Sequence, residues 1–388
     1  MILAEPKEMP GGIAPRDTVL VYRDRIVPKS EAHFLRRQYV GFDRLSPVWI
    51  GCRTDDGLGD LGVEPLIIGA GNLFGSLTRQ LFKQFGRVPA LASLKALRAR
   101  VLHAHFGRGG TLALPIARAL GIPLVVTYHG GDASKDKHYD RRALPTIYQR
   151  RLGTLQHEAA AIICVSDYVR EVLLRRGFPA AKLHVLRYGV EIDAAAPVRE
   201  PDAEGEILFA GRFVEKKGIR YLIEAARLWR ARGIDRPLAL IGSGPLEDEL
   251  KAQAAGLDQV RFLGWQSNEA VRQRMSRAFA VCVPSVVAAA GDAEGLPNVV
   301  LEALAAGVPV IGTDEGGIIE AVEHGKTGLL VPPADAGAIA DAVASLHADP
   351  AARRRISLAA RQHALDRFSA RAQSHLLEDL LLSVVPRS

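Results

Sequence analysis

The chain has 388 residues, 48% hydrophobic and 24% charged, with a formal net charge of +7, which is enough for two domains with a core each. No stretch approaches the ~18 consecutive apolar residues of a membrane-spanning helix, and the ordinary composition excludes a disordered or fibrous chain. Cys52, Cys164 and Cys282 are widely spaced and read as buried thiols, not as disulfides or a metal site.

The N-terminal residues Met1 to Glu8 lack the basic flank and apolar region of a secretory signal, so a cytoplasmic protein is expected. Short apolar runs follow at Thr18 to Tyr22, Val48 to Gly51, Leu66 to Gly69, Val101 to His105, Leu124 to Tyr128, Ala161 to Val165 and His184 to Arg187. A second series covers Ile207 to Ala210, Leu238 to Ile241, Val260 to Leu263, Val281 to Pro284, Val308 to Gly312 and Gly328 to Val331. Continuous runs separated by helical patterns such as Gly218 to Arg232 predict buried parallel strands in doubly wound α/β sheets. The polar segment Glu191 to Glu206, with Pro197, Pro201 and Gly205, divides the two series and reads as a linker. Domains are therefore expected at 1–190 and 207–365. The stretch Arg353 to Leu382 reads as helical, with 366–388 a terminal helix able to cross back over both domains.

Charge differs between the halves. Residues 1–197 hold 28 Lys and Arg against 18 Asp and Glu, leaving 22 against 25 for the remainder. A basic first half suits an anionic membrane surface, a phosphorylated substrate or a plain solvated face. No dense basic block with interleaved aromatics marks a nucleic-acid binder.

In such sheets ligands sit beyond the carboxyl ends of the strands, at helix N-termini, and the polar oddities of this chain fall there. In Glu294-Gly-Leu-Pro-Asn-Val-Val-Leu-Glu302, Pro297 suits a first helical position, and Gly307 and Pro309 suit the stop. The helix body is apolar on every side, so it reads as buried. Glu302 inside it needs hydrogen-bond donors, from an internal Arg or from a hydroxyl-rich ligand. Glu294 precedes it, in a loop whose free N–H groups favour an anion.

Arg212, Lys216 and Lys217 lie between a strand and a helix, where cations oppose the helix dipole unless an anion is present. Arg212 offers a bidentate phosphate clamp and Lys217 a point charge; a solvated basic loop fits equally. Gly242-Ser-Gly244-Pro245 has the look of a phosphate-cradling turn, but Glu247 holds the place of the third glycine of a dinucleotide fingerprint. His129 ends a strand before Gly130 and Gly131, placed for a substrate hydroxyl or for a structural bond. His103 and His105 share a strand face without a third ligand at metal-site spacing. Asp55, Asp56 and Asp60 read as a turn. Ser30 and Glu31, after the first strand, are candidates for an acceptor or phosphate contact.

Taken together, Gly211-Arg212 with Lys217-Gly218, Gly242-x-Gly244-Pro245 and Glu294-x7-Glu302 make the second half similar to the retaining glycosyltransferases of family four, with the GT-B fold of two Rossmann-like domains facing across a crevice. The resemblance runs from Gly189 to His347 and includes Phe262-Leu-Gly-Trp265 and His324-Gly-Lys-Thr-Gly328. Val101 to Gly107, with His105, and Thr127 to Asp132, with Gly130 and Asp132, look like the same family's first domain. The spacer from Ser285 to Glu294 looks like members that build exopolysaccharide or lipid-linked sugars.

The resemblance implies a nucleotide-diphosphate sugar donor. Arg212 and Lys217 would hold its diphosphate, and Glu302 its ribose. Glu294 would lie at the sugar, with the backbone of Gly295, Leu296, Pro297, Asn298 and Val299 on phosphate or sugar oxygens. Gly211, Gly242 and Gly244 would line the donor site, Gly264 and Trp265 would approach the base, and His129 would meet the sugar from the first domain. His105, Gly130 and Asp132 join Ser30 and Glu31 as the acceptor or phosphate side. The acceptor would be a saccharide or lipid carrier at the inner membrane face, with no cofactor and no divalent metal required. The family's Gly-Gly loop after the first strand is replaced by Arg25-Ile-Val-Pro-Lys-Ser-Glu31. The rival readings are a sugar-nucleotide epimerase or phosphorylase on the same fold, and a non-catalytic nucleotide-sugar-binding protein.

Overall fold

A computed structural model describes residues 17–28, 34–57, 64–69, 74–140, 144–194 and 204–386. Ser30, Glu31 and Asp60, and the linker prolines Pro197 and Pro201, lie outside the described residues.

The first domain carries β1 (Asp17–Tyr22), β2 (Arg25–Ile26), β3 (Leu45–Gly51), β4 (Arg53–Thr54), β5 (Leu66–Ile67), β6 (Ala99–His105), β7 (Leu124–Tyr128), β8 (Ala161–Cys164) and β9 (Leu183–Val185). The second carries β10 (Ile207–Ala210), β11 (Leu238–Ile241), β12 (Val260–Gly264), β13 (Ala280–Val283), β14 (Val310–Thr313) and β15 (Gly328–Val331). Each predicted apolar run became a strand. β7, β8, β11, β13 and β14 are buried along their whole length, because helices cover both faces of each sheet and leave no solvated side to alternate with. The two-residue strands β2 and β4 pair with each other and were missed because they are too short to form a run.

The sheets run β5-β3-β1-β6-β7-β8-β9 and β12-β11-β10-β13-β14-β15, with every strand pair parallel. Strand order reverses between β1 and β6, and between β10 and β13. A doubly wound sheet opens its binding crevice at such a reversal, and here the loop that follows β13 meets the end of β7 in the first domain.

The helical stretch 353–382 is two helices, Pro350–Arg367 and the terminal Ala370–Ser383, separated where Phe368 O accepts from Val190 N at 2.7 Å and Ala370 N donates to Val190 O at 2.9 Å. The two passages of chain between the domains pair with each other there. A Cβ on Gly189 would lie 2.3 Å from Ala370 Cα, so only glycine allows the approach. The last helix then packs on the first domain, with Leu377 and Leu381 against Val19, Val21 and Trp49, and Glu378 accepts from the N–H groups of Arg44 and Leu45 at 2.8 Å each. Pro297 is the extended residue before helix Asn298–Ala306, not its first turn. Gly307 ends that helix in the left-handed region, at φ 69°.

Candidate active site

The second domain's share of the site begins where β10 ends, at Gly211 and Arg212. The chain turns through Glu215–Lys217 and enters helix Ile219–Ala231 at Gly218. Gly218 has φ 61°, and a Cβ there would lie 1.8 Å from Pro284 O. Glycine is therefore required, and it brings Lys216 and Lys217 onto the end of β13. Lys217 Nζ lies 3.1 Å from Glu294 Oε1; Lys216 Nζ lies 3.4 Å from the same oxygen and 3.2 Å from Asp292. Both lysines converge on this one buried carboxylate oxygen. Burial acts to raise the Glu294 carboxyl, but Lys217 and Lys216 outweigh it and hold the group below the ordinary carboxylate range. Burial likewise acts to lower Lys216, and Glu294 with Asp292 overrides it, so the ammonium is held above its ordinary value. Arg212 is exposed and makes no ion pair or side-chain hydrogen bond among the described residues. The loop therefore presents one unneutralised guanidinium beside two lysines engaged with carboxylates.

Gly295 lies between the two domains. A Cβ on it would meet His129 O at 2.5 Å and Gly130 Cα at 2.9 Å, while a Cβ on Gly317 would meet Gly295 O at 1.6 Å. Three glycines thus let the backbone after Glu294 touch the end of β7 on one side and the loop after β14 on the other. Nearby, Lys135 of the first domain reaches Asp292 at 3.0 Å, and Ala293 N donates to Ser134 Oγ at 3.1 Å. The spacer before Glu294 is held across the crevice.

The two glutamates exchange the burial expected of them. Glu294 is 8% exposed, whereas the Glu302 side chain is 25% exposed. The helix is not buried on every side: Val300, Leu301, Ala303 and Leu304 face the core, while Asn298, Val299, Glu302 and Ala306 form a stripe open to the crevice. Glu302 borders a cavity of about 680 Å³ whose walls include Arg36, Arg37, Val190, Arg272, Met275 and Ala306. Arg37, from the first domain, donates from Nη1 to Glu302 at 3.0 Å and from Nη2 to Asn298 Oδ1, and its Nε is buried without an acceptor. The donor Glu302 needs is an arginine, supplied from the opposite domain.

On the first-domain side, His129 ends β7. Its Nδ1 is bonded to Tyr188 Oη and its Nε2 to His105 Nδ1 at 3.2 Å. His105 Nε2 meets Tyr39 Oη at 2.7 Å, Tyr39 Oη meets His103 Nδ1 at 2.8 Å, and His103 Nε2 meets Thr127 Oγ1 at 2.7 Å. Neutral imidazoles carry one N–H each and a tyrosine oxygen can accept twice, so the five links form with the donors either all pointing one way along the chain or converging on Tyr39 Oη. Burial lowers His103 to about 3, and lowers His105 and His129 well below the ordinary histidine value. All three are neutral at pH 7. This corrects the acceptor-side reading of His105, which is fully buried with both nitrogens engaged. Both ring nitrogens of His129 are engaged as well, so its free polar atom toward Gly295 is the backbone carbonyl. Asp132 is also satisfied internally, accepting from His129 N at 2.8 Å and Gly107 N at 2.9 Å; it fixes the turn and has no carboxylate oxygen free for an acceptor. Phe106 sits at φ 66°, an uncommon conformation for a bulky residue. Its ring lies 4.2 Å from that of His129 and beneath the Arg23 guanidinium.

Gly242 and Gly244 have a packing role: a Cβ on either would strike Gly211 O at 1.9 Å or Phe213 O at 2.4 Å. They bring the ends of β10 and β11 together, beside Gly264 at the end of β12, where Gly242 N donates to Gly264 O at 2.9 Å. Trp265 follows, 65% exposed. Sequence reasoning missed Arg37, Asp292, Lys135 and Tyr188 and gave Lys216 no ligand role of its own. The adjacent Arg36-Arg37 and Lys216-Lys217 pairs were visible signals, but their partners lie in other domains or loops.

Two family models match the chain: Glycosyltransferase Family 4 over residues 47–194 and Glycosyl transferases group 1 over residues 192–363. WcaL of Escherichia coli K12, named as a colanic acid biosynthesis glycosyltransferase, is 34% identical over 64% of this chain; the match spans 61% of its own length. The GDP-mannose-dependent alpha-(1-6)-phosphatidylinositol monomannoside mannosyltransferase of Mycolicibacterium smegmatis is 33% identical over 71% of this chain and 75% of its own. Anabaena Alr3699/HepE, solved with UDP and glucose, superposes with a TM-score of 0.74 at 20% identity, covering 95% of this chain and all of that one, and so shares its architecture. The chain belongs to glycosyltransferase family 4 and has the GT-B fold.

Proposed function

We propose that the protein transfers a sugar, with retention of anomeric configuration, from a nucleotide-diphosphate donor to a saccharide or lipid-linked acceptor in cell-surface polysaccharide or glycolipid synthesis, at the inner face of a membrane. The observation that carries this reading is the cationic loop at the β10–β13 reversal, Arg212 unneutralised beside Lys217 and Glu294, with Glu302 on the helix that follows. The relatives named for colanic acid synthesis and for mannosyl transfer to a phosphatidylinositol mannoside support the acceptor class.

In this reading the bond from the anomeric carbon to the diphosphate oxygen breaks as the acceptor oxygen bonds to the same face. The acceptor proton passes to the departing diphosphate. Arg212 and Lys217 stabilise the charge developing there, and the His129 carbonyl faces the developing positive charge on the sugar. Glu294 is a poor general base, because its lysines hold it ionised and weakly basic. Its assigned work is to position the sugar.

The test is turnover of a panel of nucleotide sugars with a membrane extract as acceptor source. Arg212→Ala and Glu302→Gln, each shown to be folded, should lose at least ~100-fold in transfer. Wild-type rates in both would overturn the proposal. Product formation without acceptor would favour epimerisation.

A further inference from the structure

Helix Gly75–Phe85 covers the first domain through Gly75 and Phe82, which are buried. Its outer face is apolar. Phe74, just before it, is 70% exposed, Leu77 52% and Phe85 75%; with half-buried Leu81 they follow a spacing of three, four and four and lie on one side of the helix. Between them the exposed positions are Ser76, Gln80 and Gln84, while Thr78, Arg79 and Lys83 are half-buried. No charge interrupts the stripe.

The surroundings are basic. From Pro65 to Gly131 the sequence has no Asp or Glu but eight Lys and Arg. The acids that meet this segment come from elsewhere: Asp24 holds Lys83 and Glu158 holds Arg118. Arg87, Lys95 and Arg98, which follow the helix, are exposed and unpaired among the described residues. Beside Phe85 a cavity of about 440 Å³ opens between Leu114, Pro115, Arg118 and Arg151.

We propose that this face is the membrane-docking surface, with Phe74, Leu77 and Phe85 entering the headgroup boundary of an anionic bilayer and Arg87, Lys95 and Arg98 on its phosphates. An in-plane helix binds through buried apolar area together with attraction to acidic lipid. The acid-free basic surround selects the bilayer over a second copy of the chain, whose matching face would carry the same positive charge. The inference deepens the proposed transfer to a lipid-linked acceptor and rests on that reading for its purpose.

The experiment is co-sedimentation of the full chain with phosphatidylcholine vesicles made with and without phosphatidylglycerol, alongside donor-site binding of UDP and GDP. Wild type should sediment only with the anionic vesicles, less so as salt is raised. Phe74→Ser/Leu77→Ser/Phe85→Ser should lose at least about tenfold in vesicle affinity, and Arg87→Gln/Lys95→Gln/Arg98→Gln should lose the salt-sensitive part, with nucleotide binding unchanged in both. No sedimentation of wild type, or equal sedimentation of the serine variant, overturns the proposal. A dimer that the serine substitutions dissolve also overturns it, in favour of a second copy. Intact UDP or GDP binding in any of these cases leaves the donor-site reading standing and fells the docking surface alone.

Discussion

Arg37 of the first domain and Glu302 of the second form an ion pair across the crevice at 3.0 Å, with the arginine also on Asn298. The carboxylate that the family resemblance places at the donor ribose is therefore already engaged by Arg37. A donor ribose that replaces Arg37 on this oxygen displaces a charge-assisted hydrogen bond of ~1.5–3 kcal/mol. Arg37→Ala should then bind UDP or GDP more tightly, by up to about tenfold in calorimetric titration, while Glu302→Gln should bind more weakly. X-ray scattering of the free Arg37→Ala variant should show a more open crevice. Weaker nucleotide binding by Arg37→Ala would make the arginine a donor ligand and refute the competition.

Gly295 sets how closely the domains approach. Its missing Cβ would fall 2.5 Å from His129 O, and that neighbour is backbone that cannot swing aside. Gly295→Ala should part the Glu294 loop from the end of β7 by a fraction of an ångström to an ångström, a displacement able to cost ~100-fold in rate. The second domain's own core is untouched, so the melting temperature should move little. The check is transfer rate against thermal melting; a variant with wild-type rate would show that the contact is incidental.

The strands were legible because a buried parallel strand is a local property of the sequence: an apolar run bounded by turns. The site was legible in part for a similar reason, since Arg212, Lys217 and the two glutamates fall at strand ends and a helix start. What sequence could not supply was the identity of each partner. Glu302 was expected to lie in a buried helix, yet the helix leaves one stripe open toward the crevice and Arg37 meets it from 265 positions earlier in the chain. His129 looked available because a strand-end histidine carries no mark of Tyr188 and His105 waiting in space. The break at Phe368 came from pairing with Val190, a contact no local pattern announces.

Glu294 and its lysines should show a defined pH window. Glu294 is held below its unfolded value, so its contribution is present above about pH 4.3 and is lost as pH falls through the lower folded value. Lys216 is held above its unfolded value, so its contribution is present below about pH 10.4 and is lost as pH rises through the higher folded value. Between those limits Glu294→Gln leaves the largely buried Lys217 ammonium without its carboxylate, while Lys216 keeps Asp292, and breaking such a cluster costs on the order of 3–5 kcal/mol. Urea unfolding at pH 7 should register that loss, and the gap from wild type should narrow below pH 4. An equal gap at pH 3 and pH 7 would show that the charge is not what Glu294 contributes.

The histidine chain responds to acid in the same direction but over a higher pH range. His103, His105 and His129 have folded values well below the ordinary ~6.5, so below pH 6.5 the unfolded chain binds protons that the folded one refuses. Each group then subtracts about 1.4 kcal/mol of stability per pH unit, and the loss for His103 continues until pH reaches about 3. The three together predict a slope of about 4 kcal/mol per pH unit between pH 6 and 5, far steeper than exposed histidines give. Tyr39→Phe tests whether the five links act as one chain. It removes the hydroxyl bonded to both His103 and His105 and leaves two buried ring nitrogens unsatisfied, at ~1–3 kcal/mol each. Because Tyr39 Oη bonds both His105 and His103, the variant should also uncouple His129 from His103. Nitrogen-15 spectra at pH 7 should show one fixed tautomer for each histidine in wild type, and exchange between tautomers at His129 in Tyr39→Phe. A His129 signal unchanged in Tyr39→Phe would mean that Tyr188 alone holds the ring.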